Sequence, residues 1–170
     1  VLNGGGGRDE LDGGDGNDVL NGGGERDELD GGDGNDVLNG GGGRDELDGG
    51  DGNDSLYGAA GADWIYGDAG DDTIDGGEGF DKIDFRGSAS PVTVSLNTGT
   101  AVGEAIGSDV VLNIERVIGS DFDDTLFGSS ADDSVWESFT GGQGDDIIDG
   151  KGGNDYVWYG RSDGSVEVNL

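Results

Sequence analysis

Gly13-Gly14-Asp15-Gly16-Asn17-Asp18, followed by Val19-Leu20-Asn21, is the stretch whose reading decides the fold. Variants of the same six residues return every nine positions from Gly4 to Asp81. Each ends in aspartate, and the middle one of the next three residues is always aliphatic, so the unit reads G-G-x-G-x-D-x-U-x. Glycine adopts backbone angles closed to other residues, so six residues can reverse direction and leave their carbonyls uncovered. The three residues that follow form a short strand whose central side chain points to one face and whose neighbours point to the other. Two units therefore make one flattened coil of 18 residues with a turn at each edge.

Residues 1–54 are three such coils that differ at one place, Gly7 and Gly43 against Glu25. That identity implies recent duplication or deliberate construction, and a start at Val1 in mid-unit suggests a piece of something longer. Parallel stacking places equivalent residues about 4.8 Å apart. One outer face then carries Glu10, Glu28, Glu46, Trp64 and Lys82 beside Asp12, Asp30, Asp48, Tyr66 and Asp84. Arg8, Arg26 and Arg44 offset part of the resulting repulsion. The polar face turns aromatic just before the regular pattern ends, which predicts that the segment that follows, or the turn region after it, packs over Trp64 and Tyr66.

From Phe85 to Ile118 the nonapeptide lapses, and Val92 to Leu96 and Val110 to Val117 alternate like strands. Turns resume at Gly119 to Asp124, Gly128 to Asp133, Gly141 to Asp146 and Gly150 to Asp155, with Glu137 to Thr140 as four extra residues. Three parts are expected in one continuous solenoid: a regular roll over 1–84, an excursion over 85–118 packed on it, and an irregular second segment over 119–170. Residues 79–96 align without gaps onto 153–170, pairing Val92 with Val166 and Val94 with Val168.

The composition narrows the chemistry. The chain of 170 residues holds 41 glycines and a formal net charge of −31, with no Cys, His or Met. Disulfides, thiolate or imidazole metal sites, and Ser-His or Cys-His nucleophiles are absent. Burying one aliphatic residue in nine recovers only part of the backbone entropy lost on folding, so the fold must draw on something besides its core. Abundant carboxylates and free carbonyls suit a hard cation, and calcium tolerates irregular six- to eight-oxygen shells better than magnesium does. The acidic surface argues against nucleic acid and anionic membranes. No apolar run is long enough to span a bilayer and no signal peptide is visible. With 39 acids, carboxylate pairs at hydrolase spacing arise without meaning, and no enzyme activity is expected.

The repeat resembles the RTX (hemolysin-type) calcium-binding β-roll. The resemblance implies an all-β, right-handed parallel β-roll (β-solenoid) of nonapeptide repeats with Ca2+ in the turns. In that family each ion lies between turns of neighbouring coils on one edge. The first turn gives the carbonyls of its second and fourth residues and the carboxylate of its sixth. The next turn gives the carbonyls of its first and third residues and again its sixth carboxylate.

On one edge the rule joins Gly5, Gly7 and Asp9 to Gly22, Gly24 and Asp27, and Gly23, Glu25 and Asp27 to Gly40, Gly42 and Asp45. It then joins Gly41, Gly43 and Asp45 to Gly58, Ala60 and Asp63, and Ala59, Gly61 and Asp63 to Gly76, Glu78 and Asp81. On the other edge it joins Gly14, Gly16 and Asp18 to Gly31, Asp33 and Asp36. Gly32, Gly34 and Asp36 follow with Gly49, Asp51 and Asp54, then Gly50, Gly52 and Asp54 with Gly67, Ala69 and Asp72. In the second segment Ser120, Phe122 and Asp124 would face Gly141, Gln143 and Asp146, and Ser129, Ala131 and Asp133 would face Gly150, Gly152 and Asp155. Seven ions are thus expected in the first roll and two in the second segment.

The resemblance further implies a module of a larger secreted bacterial polypeptide, exported by a type I system and folding on calcium outside the cell. A monomer with calcium as its partner is expected. The alternative is a calcium-stiffened segment of an adhesin or surface array, touching a glycan or protein through exposed aromatic residues.

Overall fold

One aliphatic side chain per nonapeptide builds the interior. Leu20, Leu38, Leu56 and Ile74 stack in one column and Leu29, Leu47, Ile65 and Ile83 in another, within one core cluster, each at most 1 % exposed. The computed structural model describes residues 1–130, 136–160 and 162–170, and none of these is helical. The strands, numbered along the chain, alternate between two sheets. In the regular run they are β1 (Leu2–Gly6), β2 (Glu10–Asp12), β3 (Val19–Glu25), β4 (Glu28–Asp30), β5 (Val37–Gly43), β6 (Glu46–Asp48), β7 (Ser55–Gly61), β8 (Trp64–Tyr66), β9 (Thr73–Gly79) and β10 (Lys82–Asp84). Odd strands stack in parallel in one sheet and even strands in the other, each residue opposite the one 18 positions on. The fold is therefore an all-β parallel solenoid.

The even strands have the expected three residues, whereas β3, β5, β7 and β9 have seven. On that edge the first four turn residues stack in register with those of the next coil and join the ladder, as Gly23, Gly24 and Glu25 do with Gly41, Gly42 and Gly43. On the other edge single bridges at Asp15, Asp33, Asp51 and Ala69 do the same job. Outside, Arg8 and Arg26 each reach a glutamate of the next coil at 3.9 Å, Glu28 and Glu46 respectively. These are solvated pairs of small energetic weight.

Residues 85–118 add β11 (Thr93–Ser95), β12 (Thr100–Gly103) and β13 (Gly107–Leu112) to the larger sheet. There β13 runs parallel to β9, β12 is antiparallel to both β13 and β11, and β11 leads to the rest of the sheet. The expected strand from Val110 to Val117 is broken at Asn113, whose φ of 52° is a left-handed turn that asparagine tolerates. The chain crosses there from the larger sheet to the smaller. The segment contributes Phe85, Val92, Val94, Ala101 and Ile106 to the core.

The remaining strands are β14 (Arg116–Ile118), β15 (Thr125–Phe127), β16 (Trp136–Thr140), β17 (Asp146–Asp149), β18 (Asn154–Val157) and β19 (Val166–Asn169). β14 stacks on β10, and β16 and β18 follow in the smaller sheet. The internal echo is structural: β19 lies parallel beside β17 as β11 lies beside β15.

Trp64 and Tyr66 stack with ring centroids 5.7 Å apart, and both are half-buried. The excursion contributes Arg86 to their cover, 5.8 Å from the Trp64 ring, while Lys82 lies directly over that ring. The indole Nε1 donates to Asp84 at 3.1 Å.

Candidate metal centre

The sixth residue of each turn is where the chemistry concentrates. Asp27, Asp36, Asp45, Asp54, Asp63, Asp72 and Asp81 are all at most 2 % exposed. Each is tied to its neighbour one coil on. The Asp27 N–H donates to Oδ1 of Asp45 at 2.8 Å, and those of Asp36, Asp45, Asp54 and Asp63 repeat the contact with Asp54, Asp63, Asp72 and Asp81. Oδ2 of all seven is buried and has no hydrogen-bond donor within the chain. A buried carboxylate oxygen without a partner is costly, so seven of them in two rows ask for a cation.

The other oxygens of each turn are set by close packing between coils. A methyl group on Gly22 would stand 2.6 Å from Oδ2 of Asp27 and 2.7 Å from the carbonyl oxygen of Gly40. The same cradle recurs at Gly31, with Oδ2 of Asp36 and the Gly49 carbonyl each 2.6 Å away. Second- and fourth-position carbonyls also point at the next turn: a side chain on Gly32 or Gly34 would strike the oxygen of Gly14 or Gly16. Gly32 and Gly34 have φ of 91° and 140°, which only glycine adopts cheaply. First-, second- and fourth-position carbonyls and sixth-position carboxylates thus face the gap between stacked turns.

The third-position carbonyl has other work. Gly16 N–H donates to Asp33 O at 2.6 Å, and Gly34 N–H to Asp51 O at 2.8 Å. Second-position oxygens accept as well, Asp33 N–H reaching Gly14 O at 2.9 Å. A carbonyl oxygen has two lone pairs, so one acceptor site remains on each. Among the described residues no three acidic side chains converge on one point. The donor set is two carboxylates with backbone oxygens, which is the set a hard cation takes. Glu25 and Ala59, both at φ 75°, keep the left-handed turn and offer the carbonyls expected of them.

Burial raises five of these carboxyls, and the like charge of nearby aspartates adds to it. Asp54 and Asp63 are pushed up to about 6 and Asp72 to about 7, while Asp45 and Asp81 also move up.

The second segment departs from this arrangement. At Asp124 the Ser120 hydroxyl donates to Oδ1 at 2.7 Å and the Ser120 N–H to Oδ2 at 2.6 Å, so serine in the second position occupies both oxygens. The Phe122 carbonyl faces Gly144 of the next turn, and Gln143 is exposed. Oδ2 of Asp146 is buried and without a partner, like those of the first roll. Ala131 and Asp133 lie outside the described residues. Glu137, 4 % exposed, accepts the Ser129 N–H at 3.0 Å. Its Oε2 also stands 2.6 Å from a methyl position on Gly128 that the Gly150 carbonyl closes from the other side.

Strand register shows which acids the sequence reading missed. Lys82 pairs with Arg116, Arg116 with Ser138, and Ser138 with Tyr156. The residues just before them, Asp81, Glu115, Glu137 and Asp155, therefore form one row. On the other edge Thr73 pairs with Val110, placing Asp109 next after Asp72. Asp109, Glu115 and Glu137 follow no six-residue glycine turn. Their signal is an acid directly before an x-U-x strand, as in Glu115-Arg116-Val117-Ile118.

Comparison with known families adds one match. A model described as RTX calcium-binding nonapeptide repeat (4 copies) matches residues 1–29, 12–47, 21–56, 48–83, 113–136 and 137–166, most of the chain. No curated protein matches the sequence.

Proposed function

The chain belongs to the RTX calcium-binding nonapeptide repeat family, and from that premise we propose that it is a module whose β-roll closes when calcium enters the gaps between its turns. The observation that carries the reading is the double row of buried Oδ2 atoms without partners. In the first roll, seven gaps pair the turns of successive coils, four on one edge and three on the other, with the second- and fourth-position carbonyls of one turn, the first- and third-position carbonyls of the next, and both sixth-position carboxylates. The second segment adds the gaps headed by Asp124 with Asp146 and by Ser129 with Asp155, where Ser120 and Glu137 alter the donor set. Bound calcium supplies positive charge where stacked carboxylates otherwise repel.

The repeats support a place outside the cell, where calcium is plentiful and affinities of extracellular modules suffice. There the module serves the folding, secretion and stability of a larger secreted bacterial polypeptide, exported unfolded by a type I route, and works as a monomer without enzyme activity of its own. No described helix is long and apolar enough to cross a membrane.

A second reading, a calcium-stiffened segment of a surface array that touches a glycan or protein, is favoured by one feature. Of the eight Lys and Arg residues, Arg44, Lys82, Arg86 and Arg116 line a single cleft of 470 Å³ with Trp64 and Trp158, on a chain of net charge −31.

Far-UV circular dichroism in chelator and then in rising calcium tests the first reading. A largely unfolded chain that gains β signal with calcium supports it, and full β signal in chelator would end it.

A further inference from the structure

The segment over 85–118 carries no nonapeptide, yet it lies in the middle of both acid rows. We propose that it completes two further calcium sites, one on each edge, formed by Asp81, Asn113 and Glu115 and by Gly70, Asp72 and Asp109. The inference rests on calcium filling the gaps of the regular roll.

The first site repeats the geometry of the roll with different residues. A methyl group on Gly76 would strike the carbonyl oxygen of Asn113 and stand 2.8 Å from Oδ2 of Asp81. In the coils before it, the carbonyl closing that cradle belongs to the first glycine of the next turn, as Gly40 does for Gly22. Asn113 therefore stands where a turn glycine would. Glu115 takes the place of the next aspartate: its Oε2 accepts the Asp81 N–H at 2.9 Å, as Oδ1 of Asp81 accepts that of Asp63 at 2.7 Å. Asp81 is fully buried and its Oδ2 has no partner. The longer glutamate spans the missing glycine turn, and Asn113 is anchored by its Nδ2, which donates to Asp75 at 2.7 Å.

The second site forms where the chain returns to the larger sheet. The Asp72 N–H donates to Oδ1 of Asp109 at 3.1 Å, and Oδ2 of both is buried without a partner. Gly107, at φ 76°, sits where a side chain would strike the Gly70 carbonyl, the fourth-position oxygen of the last turn of the regular run on that edge. Ser108 N–H closes the approach with a 2.9 Å bond to Asp71. The rows then run from the regular coils into the excursion without a gap, and calcium clamps the non-repeat segment to the roll.

A structure of the wild-type chain crystallised with calcium reads this directly. An ion in contact with Oδ2 of Asp81 and the carbonyl of Asn113 is expected. Ions between the repeat turns with none at Asp81 would overturn the proposal, whereas a crystal without ions between any turns would overturn the calcium reading of the roll. In solution, Glu115→Gln and Asp109→Asn should each bind one calcium fewer than wild type by titration calorimetry, with β signal regained at saturating calcium. Glu104→Gln, exposed in the same segment, should bind the full number. Full stoichiometry in both row variants would refute the two sites.

Discussion

Oδ1 of Asp45 accepts the backbone N–H of Asp27 at 2.8 Å, while Oδ2 of both residues is buried and has no partner. One carboxylate oxygen thus holds the coils in register and the other is left for a ligand. Because each sixth-position aspartate from Asp27 to Asp63 has a neighbour before and after it, a single residue takes part in two gaps. Cooperative closure follows, since filling one gap orders a carboxylate that the next gap needs.

Asp45→Asn should therefore weaken two sites together. The amide oxygen can still accept the Asp27 N–H, so the loss isolates charge from register. Roughly tenfold weaker calcium binding at two sites is expected, since affinity follows the charge of the ligand set. Asp30→Asn, on the outer face, should leave the site-specific isotherm close to wild type. Equal losses in the two variants would show that bulk charge governs binding.

Without calcium, folding should depend on pH in the direction opposite to ordinary acid denaturation. Burial and stacked charge raise Asp54, Asp63 and Asp124 to about 6 and Asp72 and Asp109 to about 7. These values exceed the unfolded carboxylate value near 4, so between about pH 4 and 7 the folded chain binds more protons than the unfolded one. Stability from these groups is full below about pH 4 and is lost as pH rises through 6 to 7. A chelated sample should show more β signal at about pH 4.5 than at about pH 8. Identical spectra would contradict the shifts.

The repeated part of this structure was legible because each position of the nonapeptide answers one physical demand, with glycine where a neighbouring carbonyl leaves no room, aspartate where the chain re-enters a strand, and an aliphatic residue for the core. Asp109, Glu115 and Glu137 escaped that logic. They reach the same rows through strand register, and Asn113 with Glu115 replaces a six-residue turn by three residues and a longer side chain. The antiparallel insertion of β12 was equally hidden, since a strand's period reports burial and says nothing of direction.

Two glycines in one pair of turns should respond oppositely to alanine. Gly52 has φ 137°, and a methyl group there would strike the Gly34 carbonyl, so Gly52→Ala should cost about 2 kcal/mol or more. Gly42 has open space around it, and its partner one coil on is already alanine, Ala60. Gly42→Ala should change stability by less than about 0.5 kcal/mol. Urea unfolding at saturating calcium compares them, and a Gly52→Ala chain as stable as wild type would mean the turns are looser than their contacts imply.

Asp84 should be the residue on which the aromatic end of the outer face depends. Its side chain is fully buried and receives Nε and Nη2 of Arg86 at 2.9 and 2.6 Å, Nε1 of Trp64 at 3.1 Å and the Lys82 ammonium at 3.6 Å. Burial pushes its carboxyl up, but the hydrogen bonds and charge of Arg86 with that of Lys82 outweigh it and hold it below the usual range. Burial also lowers the Lys82 ammonium to about 7, so its charge depends on keeping the carboxylate beside it. Asp84→Ala strands a guanidinium and an indole N–H in a half-buried place and should cost about 3 to 5 kcal/mol. Arg86→Ala, which leaves Lys82 and Trp64 on the carboxylate, should cost about 1.5 to 3. Urea unfolding of both single variants and the double variant, with calcium saturating, measures their coupling. Strict additivity would mean that Arg86 does not hold Asp84 over the Trp64 ring.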